Sequence, residues 1–414
     1  MEGFAQLGRH SRVASGFAEA IAEVQVGSRL IVTVDTPLAP YTSLKVGGTA
    51  RFMVRAQSSD EIIAIASVAA EYDMPVLVLG GGSNVVVADA GFDGIVIKID
   101  APTGTRHAGT ISSTDGDAVV VEVEAGCQTA GFARWAARQG LAGIEWACGI
   151  PGTVGGAVAG NAGAYSGDMA SIVAEVRAWV PSAGAQVLDA APQAHGGAVI
   201  RVPASEMAFG YRTSRFKRGP GVVLSTRLRL RHDDPATLLA RIEGFESARR
   251  QKQPTERSCG SVFRNPPGET AGRLLEQAGM KGRSRGDAQV SAVHANWIIN
   301  RGAATATDVL SLIREGRTAV LNRTGIALEI EVLLVGDWDP HAVAELRDGA
   351  THPAQAPAQN TALTLEASRM QSASSASIAE GLGSALAASD DIASTASQAN
   401  RDRGPNDDTT EVAR

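Results

Sequence analysis

The stretch from Gly149 to Tyr165 places six glycines in its first fifteen positions, and no charged residue falls between Glu145 and Asp168. Glycine admits positive φ and close approach of the backbone to a ligand, at an entropic cost on folding. So dense a run disfavours a helix or a strand interior. It suits a backbone that wraps a phosphate with its N–H groups. A solvated surface loop would carry Ser, Asp or Lys, and this run has none of them. A buried loop against a large ligand is the expectation.

The chain has 414 residues, 44% of them hydrophobic, enough for two or three domains with their own cores. A formal net charge of −6 leaves no basic excess, so nucleic acid is not an expected partner. Cys127, Cys148 and Cys259 are too few and too scattered for a disulfide framework, which points to a reducing compartment. Residues 1–27 lack the apolar core of a signal peptide. No apolar run approaches the ~18 residues of a membrane span. A cytoplasmic protein without a membrane partner is expected. No His/Cys/Asp cluster has metal-ligand spacing, so no metal is expected.

Phe17, Ile21 and Val24 share helical spacing within an N-terminal extension, residues 1–25. A strand at 30–34 and another at 50–55 flank a turn-rich segment, and Ser58-Ser59-Asp60-Glu61 opens a helix that Pro75 stops. The apolar run 76–79 reads as a buried strand leading into Gly80-Gly81-Gly82-Ser83-Asn84. Neither glycine loop has the G-x-G-x-x-G spacing of a dinucleotide fold, and no Gly-Lys-Ser/Thr triplet completes a P-loop. Short strands and turns follow Asn84 where those folds need a helix. The fold class is therefore α+β and not doubly wound.

Further strands are expected at 118–125, 174–180, 198–202 and 222–230, with a helix at 130–139. The run from Phe209 to Arg218 sets arginines and a lysine beside aromatics, which fits either a solvated basic turn or an anion site for carboxylate or phosphate. A composition break at His232-Asp233-Asp234-Pro235 opens a further domain, with helices at 238–250, 271–278 and 308–321. Asp308 caps the last of these and Gly325 closes it. A strand at 327–335 would place Glu329 and Glu331 on one face. Residues 341–414 hold ten acidic and five basic residues and no Phe, Tyr or Trp, the composition of a disordered tail with a weak helix at 378–392.

Taken together, the landmarks resemble the UDP-N-acetylenolpyruvoylglucosamine reductase family. The matching pieces run in family order. They begin with Thr42-Ser43-Leu44-Lys45-Val46-Gly47-Gly48, the loop from Gly80 to Asn84 and the glycine run. They continue with Tyr211-Arg212-Thr213-Ser214, Gly260-Ser261-Val262-Phe263-Arg264-Asn265-Pro266, Ala271-Gly272-Arg273-Leu274, His294-Ala295-Asn296 and Leu328-Glu329-Ile330-Glu331-Val332. Coverage extends from about residue 26 to 337. The match is closest to the shorter type II branch, since no room exists between Tyr211 and Ser261 for an inserted capping loop. Ala159, where many relatives carry a large residue, and both terminal extensions depart from the pattern.

The resemblance implies a two-part FAD-binding domain of the PCMH/vanillyl-alcohol-oxidase type at 26–235, with subdomains at about 26–100 and 101–235, and a smaller α+β substrate domain at 236–340. It implies FAD as cofactor, NADPH as co-substrate, UDP-N-acetylglucosamine enolpyruvate as substrate, a place in bacterial peptidoglycan synthesis, and a monomer. Gly80, Gly81, Gly82, Ser83 and Asn84 match the pyrophosphate contacts. Ile150, Pro151, Gly152, Thr153, Gly155, Gly156 and Ala157 match the flavin lining. Arg212 matches the carboxylate-binding arginine, Ser261 the proton donor, and Glu331 the residue that stabilises the enol-like intermediate with Arg212. Glu329 is the competing glutamate. A Glu beside a substrate carboxylate should have a raised pKa and donate a hydrogen bond while protonated. Cys259 reads as packing, and His294 with Asn296 as a structural or substrate-positioning pair. Two alternatives stay open: a flavin oxidase of the same superfamily, and a non-catalytic flavin- or sugar-nucleotide-binding protein.

Overall fold

The computed structural model describes residues 16–24, 30–101, 106–182, 196–347 and 362–363. A first, mixed sheet orders its strands Val32–Pro37, Thr49–Ala56, Phe92–Ile99 and Val76–Leu79, with the two-residue strand Ala362–Leu363 beyond them. The first three pairings differ in sense. Val32–Pro37 runs antiparallel to Thr49–Ala56, whereas Phe92–Ile99 is parallel to both of its neighbours. The near-continuous apolar run Val76–Leu79 suits such a buried parallel strand. Helix Ser59–Glu71 starts at a capping box, in which Ser58 accepts from the Glu61 N–H and Glu61 reaches back. The helix at 16–24 buries Phe17 and Ile21. The Phe17 ring lies 5.1 Å from Phe52 and 6.2 Å from Tyr72. Each such burial contributes about 2 kcal/mol. Residues 1–15 of the expected extension lie outside the described residues.

A second sheet is antiparallel, in the order Gly197–Pro203, Val173–Pro181, Val222–His232, Ala118–Glu124 and Thr110–Asp115. Val119, Val121 and Val123 alternate into a core shared with Phe132, Ala133 and Ala136 of helix Thr129–Arg138. Leu238 and Ile242 of helix Pro235–Lys252 enter this same core. The break expected at 235/236 thus precedes a helix that packs with the second sheet.

The glycine run departs from expectation, because Val154–Ala159 is a short helix. Its first N–H groups are satisfied by the second module: Val154 donates to the Cys127 carbonyl at 2.8 Å and Gly155 to that of Ala125 at 2.9 Å. Val154, Ala157 and Val158 are buried there. Tertiary contacts override the weak propensity of glycine. The close approach also explains Gly155, since a Cβ there would meet the Ala125 Cβ at 2.7 Å.

A third sheet orders Ser258–Ser261, Trp297–Asn300, Ala288–Val290 and Ser284–Arg285, covered by helices Ala271–Gln277 and Ala306–Thr324. Thr305, not Asp308, is the N-cap of the long helix; Asp308 is its reciprocal partner. Gly325 closes it at φ +73°. Several contacts tie this unit to the first, two of them beside the loop from Gly80 to Asn84 and its following strand. Val85–Val87 pairs in parallel with Leu333–Val335, and the Asp89 carboxylate accepts from the N–H groups of Ala306 and Thr307 at 2.8 and 2.9 Å. Only Leu333–Val335 of the strand expected at 327–335 is regular. Part of the expected tail is ordered too: helix Pro340–Arg347 buries Val343 and Leu346. The segment 378–392 lies outside the described residues.

Candidate active site

All fifteen site residues expected from sequence line one cavity of about 680 Å³. Gly80, Gly81, Gly82, Ser83 and Asn84 leave the strand Val76–Leu79 on one wall. Ile150, Pro151, Gly152, Thr153, Gly155, Gly156 and Ala157 form the adjoining wall. The two loops are interlocked. A Cβ on Gly81 would lie 2.4 Å from the Gly152 Cα, and one on Gly80 would lie 2.3 Å from the Thr153 Oγ1. Ser83 Oγ donates to the Pro151 carbonyl at 3.2 Å. Among the described residues, the N–H groups of Gly81, Gly82, Ser83, Gly152 and Thr153 have no hydrogen-bond acceptor. Orphaned backbone donors beside a cavity need a partner, and a pyrophosphate supplies acceptor oxygens in number. These walls fit FAD.

Arg212, Ser261 and Glu331 come from three separate segments. Arg212 sits in a tight turn where Gly210 and Thr213 exchange backbone hydrogen bonds of 3.0 and 3.1 Å. Its φ is +56°, a conformation that costs a non-glycine residue roughly 1–2 kcal/mol. Such strain at a cavity wall is a feature of functional sites. Arg212 Nε donates to Glu331 Oε1 at 3.0 Å and Nη2 to the Gly163 carbonyl at 2.9 Å. Nη1 has no partner among the described residues.

Glu329 and Glu331 share a face, as expected, since Leu328, Ile330, Val332 and Leu334 all pack into the core of the third sheet on the other side. The Arg264 N–H donates to the Glu329 carbonyl, and then the N–H groups of Glu331 and Val332 both point at the single Val262 carbonyl, at 2.7 and 3.3 Å. Two donors on one acceptor make a bulge at Glu331 and Val332, beyond the regular pairing of Phe263 with Ile330. Glu331 is turned into the cavity with 15% of its side chain exposed, while Glu329 is 44% exposed beside Arg264. Burial pushes the Glu331 carboxyl above its ordinary range, against the pull of Arg212, Lys217 and Arg264.

Known families are similar to two parts of the chain. The profile described as FAD binding domain matches residues 50–189. The profile described as UDP-N-acetylenolpyruvoylglucosamine reductase, C-terminal domain, matches residues 252–335. The UDP-N-acetylenolpyruvoylglucosamine reductase of Chloroflexus aggregans is 40% identical over 304 residues, covering 72% of this chain and 96% of that one. The chain belongs to the UDP-N-acetylenolpyruvoylglucosamine reductase family. A reductase of the family from Anaeromyxobacter dehalogenans is 42% identical over 316 residues, covering 75% of this chain and 88% of its own. The crystal structure of UDP-N-acetylenolpyruvylglucosamine reductase from Thermus caldophilus covers 74% of this chain and 98% of its own, with 34% identity and a TM-score of 0.58. The protein is an FAD-binding oxidoreductase of α+β fold. Both glycine loops fall within the FAD-binding match, and Ser261 and Glu331 fall within the reductase match.

Several cavity residues of this reductase were not singled out from sequence. Lys217, inside the basic run, lines the cavity and donates from Nζ to the Arg212 carbonyl at 3.0 Å. Burial pulls its ammonium down to about 8, with Arg264 adding to the fall, Glu331 opposing it and Arg212 adding again. Tyr165, at the end of the glycine run, stacks on Phe245 with ring centroids 4.4 Å apart. Arg249, on helix Pro235–Lys252, lines the same cavity. Nothing in the helical pattern of 238–250 marks that arginine, because the period only says which face is apolar. His294, which the sequence did single out, lines the cavity as well, and its Nδ1 accepts from the Asn296 N–H at 3.2 Å. Asn296 is structural: its side chain pairs with both backbone groups of Phe263, at 2.9 and 2.8 Å, beside Ser261. Cys259 is buried and its thiol is pushed up to about 12 by burial, which removes the thiolate a nucleophile needs. Among the described residues there is no group of three metal-ligating side chains. No helix there is long and apolar enough to cross a membrane.

Proposed function

We propose that the protein reduces UDP-N-acetylglucosamine enolpyruvate to UDP-N-acetylmuramate at the expense of NADPH, a step of bacterial peptidoglycan precursor synthesis. The observation that carries this reading is the convergence of Arg212, Ser261 and Glu331 on the cavity whose other walls are the two glycine loops. FAD, when bound, carries the reducing equivalent of NADPH to the β-carbon of the enolpyruvyl ether. Gly81, Gly82, Ser83, Gly152 and Thr153 hold the pyrophosphate with their backbone donors. Arg212 binds the substrate carboxylate with its remaining N–H groups, where negative charge grows as the double bond is saturated. Glu331, held toward its protonated form by burial, shares that charge through a hydrogen bond. Ser261 gives its proton to the α-carbon. A serine hydroxyl is a weak acid in water, but a carbanion is far more basic, so the transfer runs downhill.

An anaerobic visible spectrum tests the reading. NADPH bleaches the flavin band of the purified protein, and the enolpyruvyl sugar restores it. Bleaching without restoration by the sugar discards the substrate, and rapid oxygen consumption instead favours an oxidase. Burial in the cavity separates the two glutamates in a further test. Glu331→Gln slows restoration by about 10²-fold, the loss typical of one transition-state donor. Glu329→Gln stays within about twofold, as an exposed substitution should. Equal losses in stopped-flow traces would contradict the placement of Glu331.

A further inference from the structure

We propose that Lys217 is a positioning residue for reduction of the enolpyruvyl group, its ammonium holding the Arg212 carbonyl and with it the guanidinium in place. This rests on the function proposed above. Arg212 occupies a left-handed turn, φ +56°, that an arginine does not adopt unaided. Four contacts fasten that turn. Asn161 Nδ2 donates to the Gly210 carbonyl at 2.9 Å, Arg218 Nε to Thr213 Oγ1 at 3.0 Å, and Ser214 Oγ to the Ala159 carbonyl at 2.7 Å. The fourth, Lys217 Nζ to the Arg212 carbonyl at 3.0 Å, is made to the backbone of the strained residue itself. It is also the one that comes from the cavity wall. The short helix Arg215–Arg218 sets this up by burying Phe216, which turns its neighbour Lys217 toward the cavity.

The charged groups acting on Lys217 are Arg212, Arg264 and Glu331. A second cation beside Arg212 favours an anionic ligand at this end, and Glu331 offsets part of the repulsion between the cations. Loss of the ammonium proton leaves one charge fewer facing the carboxylate and weakens the hold on the turn. The sign follows: reduction of the sugar falls as pH rises through the Lys217 value.

The experiment follows the two half-reactions separately by anaerobic stopped flow from pH 6 to 10, with wild type, Lys217→Met and Lys217→Arg. In the wild type, flavin reoxidation by the enolpyruvyl sugar declines with a midpoint at about 8. In Lys217→Met the decline disappears, and reoxidation at pH 7 and saturating sugar runs about 10- to 100-fold slower, the loss of one charged hydrogen bond. Bleaching by NADPH stays within about twofold. Lys217→Arg keeps the rate near wild type and moves the decline beyond pH 10, since guanidinium titrates above about 12. If Lys217→Met fails to hold flavin, the arginine variant decides alone. A decline that keeps its midpoint in either variant, or an equal fall in both half-reactions, overturns the proposal. A wild type that NADPH bleaches but the sugar does not restore overturns the substrate reading and this proposal with it.

Discussion

Ser261→Ala will leave bleaching of the flavin by NADPH at the wild-type rate and slow its reoxidation by the enolpyruvyl sugar by about 10²–10⁴-fold. The asymmetry follows from where the hydroxyl is needed. Delivery of reducing equivalents from NADPH requires no proton at the sugar, whereas the second half-reaction ends with a proton on the α-carbon. Ser261 is well placed for a single-atom deletion. It ends the strand Ser258–Ser261, opposite Trp297, and the next residue is fastened by the Val262 N–H to the Asn296 carbonyl at 2.9 Å. Alanine removes the donor and leaves that backbone unchanged. Equal slowing of both half-reactions in stopped-flow traces would take the proton-donor role away from Ser261.

Gly81→Leu will yield protein without stoichiometric FAD. Any side chain at position 81 starts with a Cβ 2.4 Å from the Gly152 Cα, well inside contact distance. The obstacle is backbone, so no rotamer change relieves it, and the two loops must part. Parting them separates the unpaired N–H groups of Gly81, Gly82 and Ser83 from those of Gly152 and Thr153. A shared anion site is then lost as a unit. The control is Gly244→Ala, where a Cβ meets nothing within 4 Å. The ratio of flavin to protein absorbance after purification separates the two: wild-type ratio for Gly244→Ala, near zero for Gly81→Leu. A Gly81→Leu protein that folds with a full flavin band would refute the cofactor assignment of both loops.

The two glycine walls of the cavity were legible because glycine is costly wherever it is not required. Two dense glycine loops with no charge announced a close backbone approach, and the interlocked loops supply its reason. Arg212, Ser261 and Glu331 were legible only through their family context, since each alone reads as an ordinary turn, surface or strand residue. The errors have identifiable causes. Val154–Ala159 is helical because Cys127 and Ala125, distant in sequence, accept its first N–H groups. Helix Pro235–Lys252 follows a break in composition yet packs backward, onto the second core, through Leu238 and Ile242. Lys217 looked like one charge among several in a basic turn; only its hydrogen bond to Arg212 distinguishes it.

The parallel pairing of Val85–Val87 with Leu333–Val335 has a consequence for synthesis. Chains fold from the N-terminus as they leave the ribosome. The loop from Gly80 to Asn84 is made early, but the strand that follows it stays an open edge until nearly all of the reductase match has emerged. During that interval three consecutive valines are exposed to any neighbouring nascent chain, the kind of edge on which strands mispair. Glu331 arrives just ahead of the closing strand, so the cavity is completed and the edge sealed at the same moment.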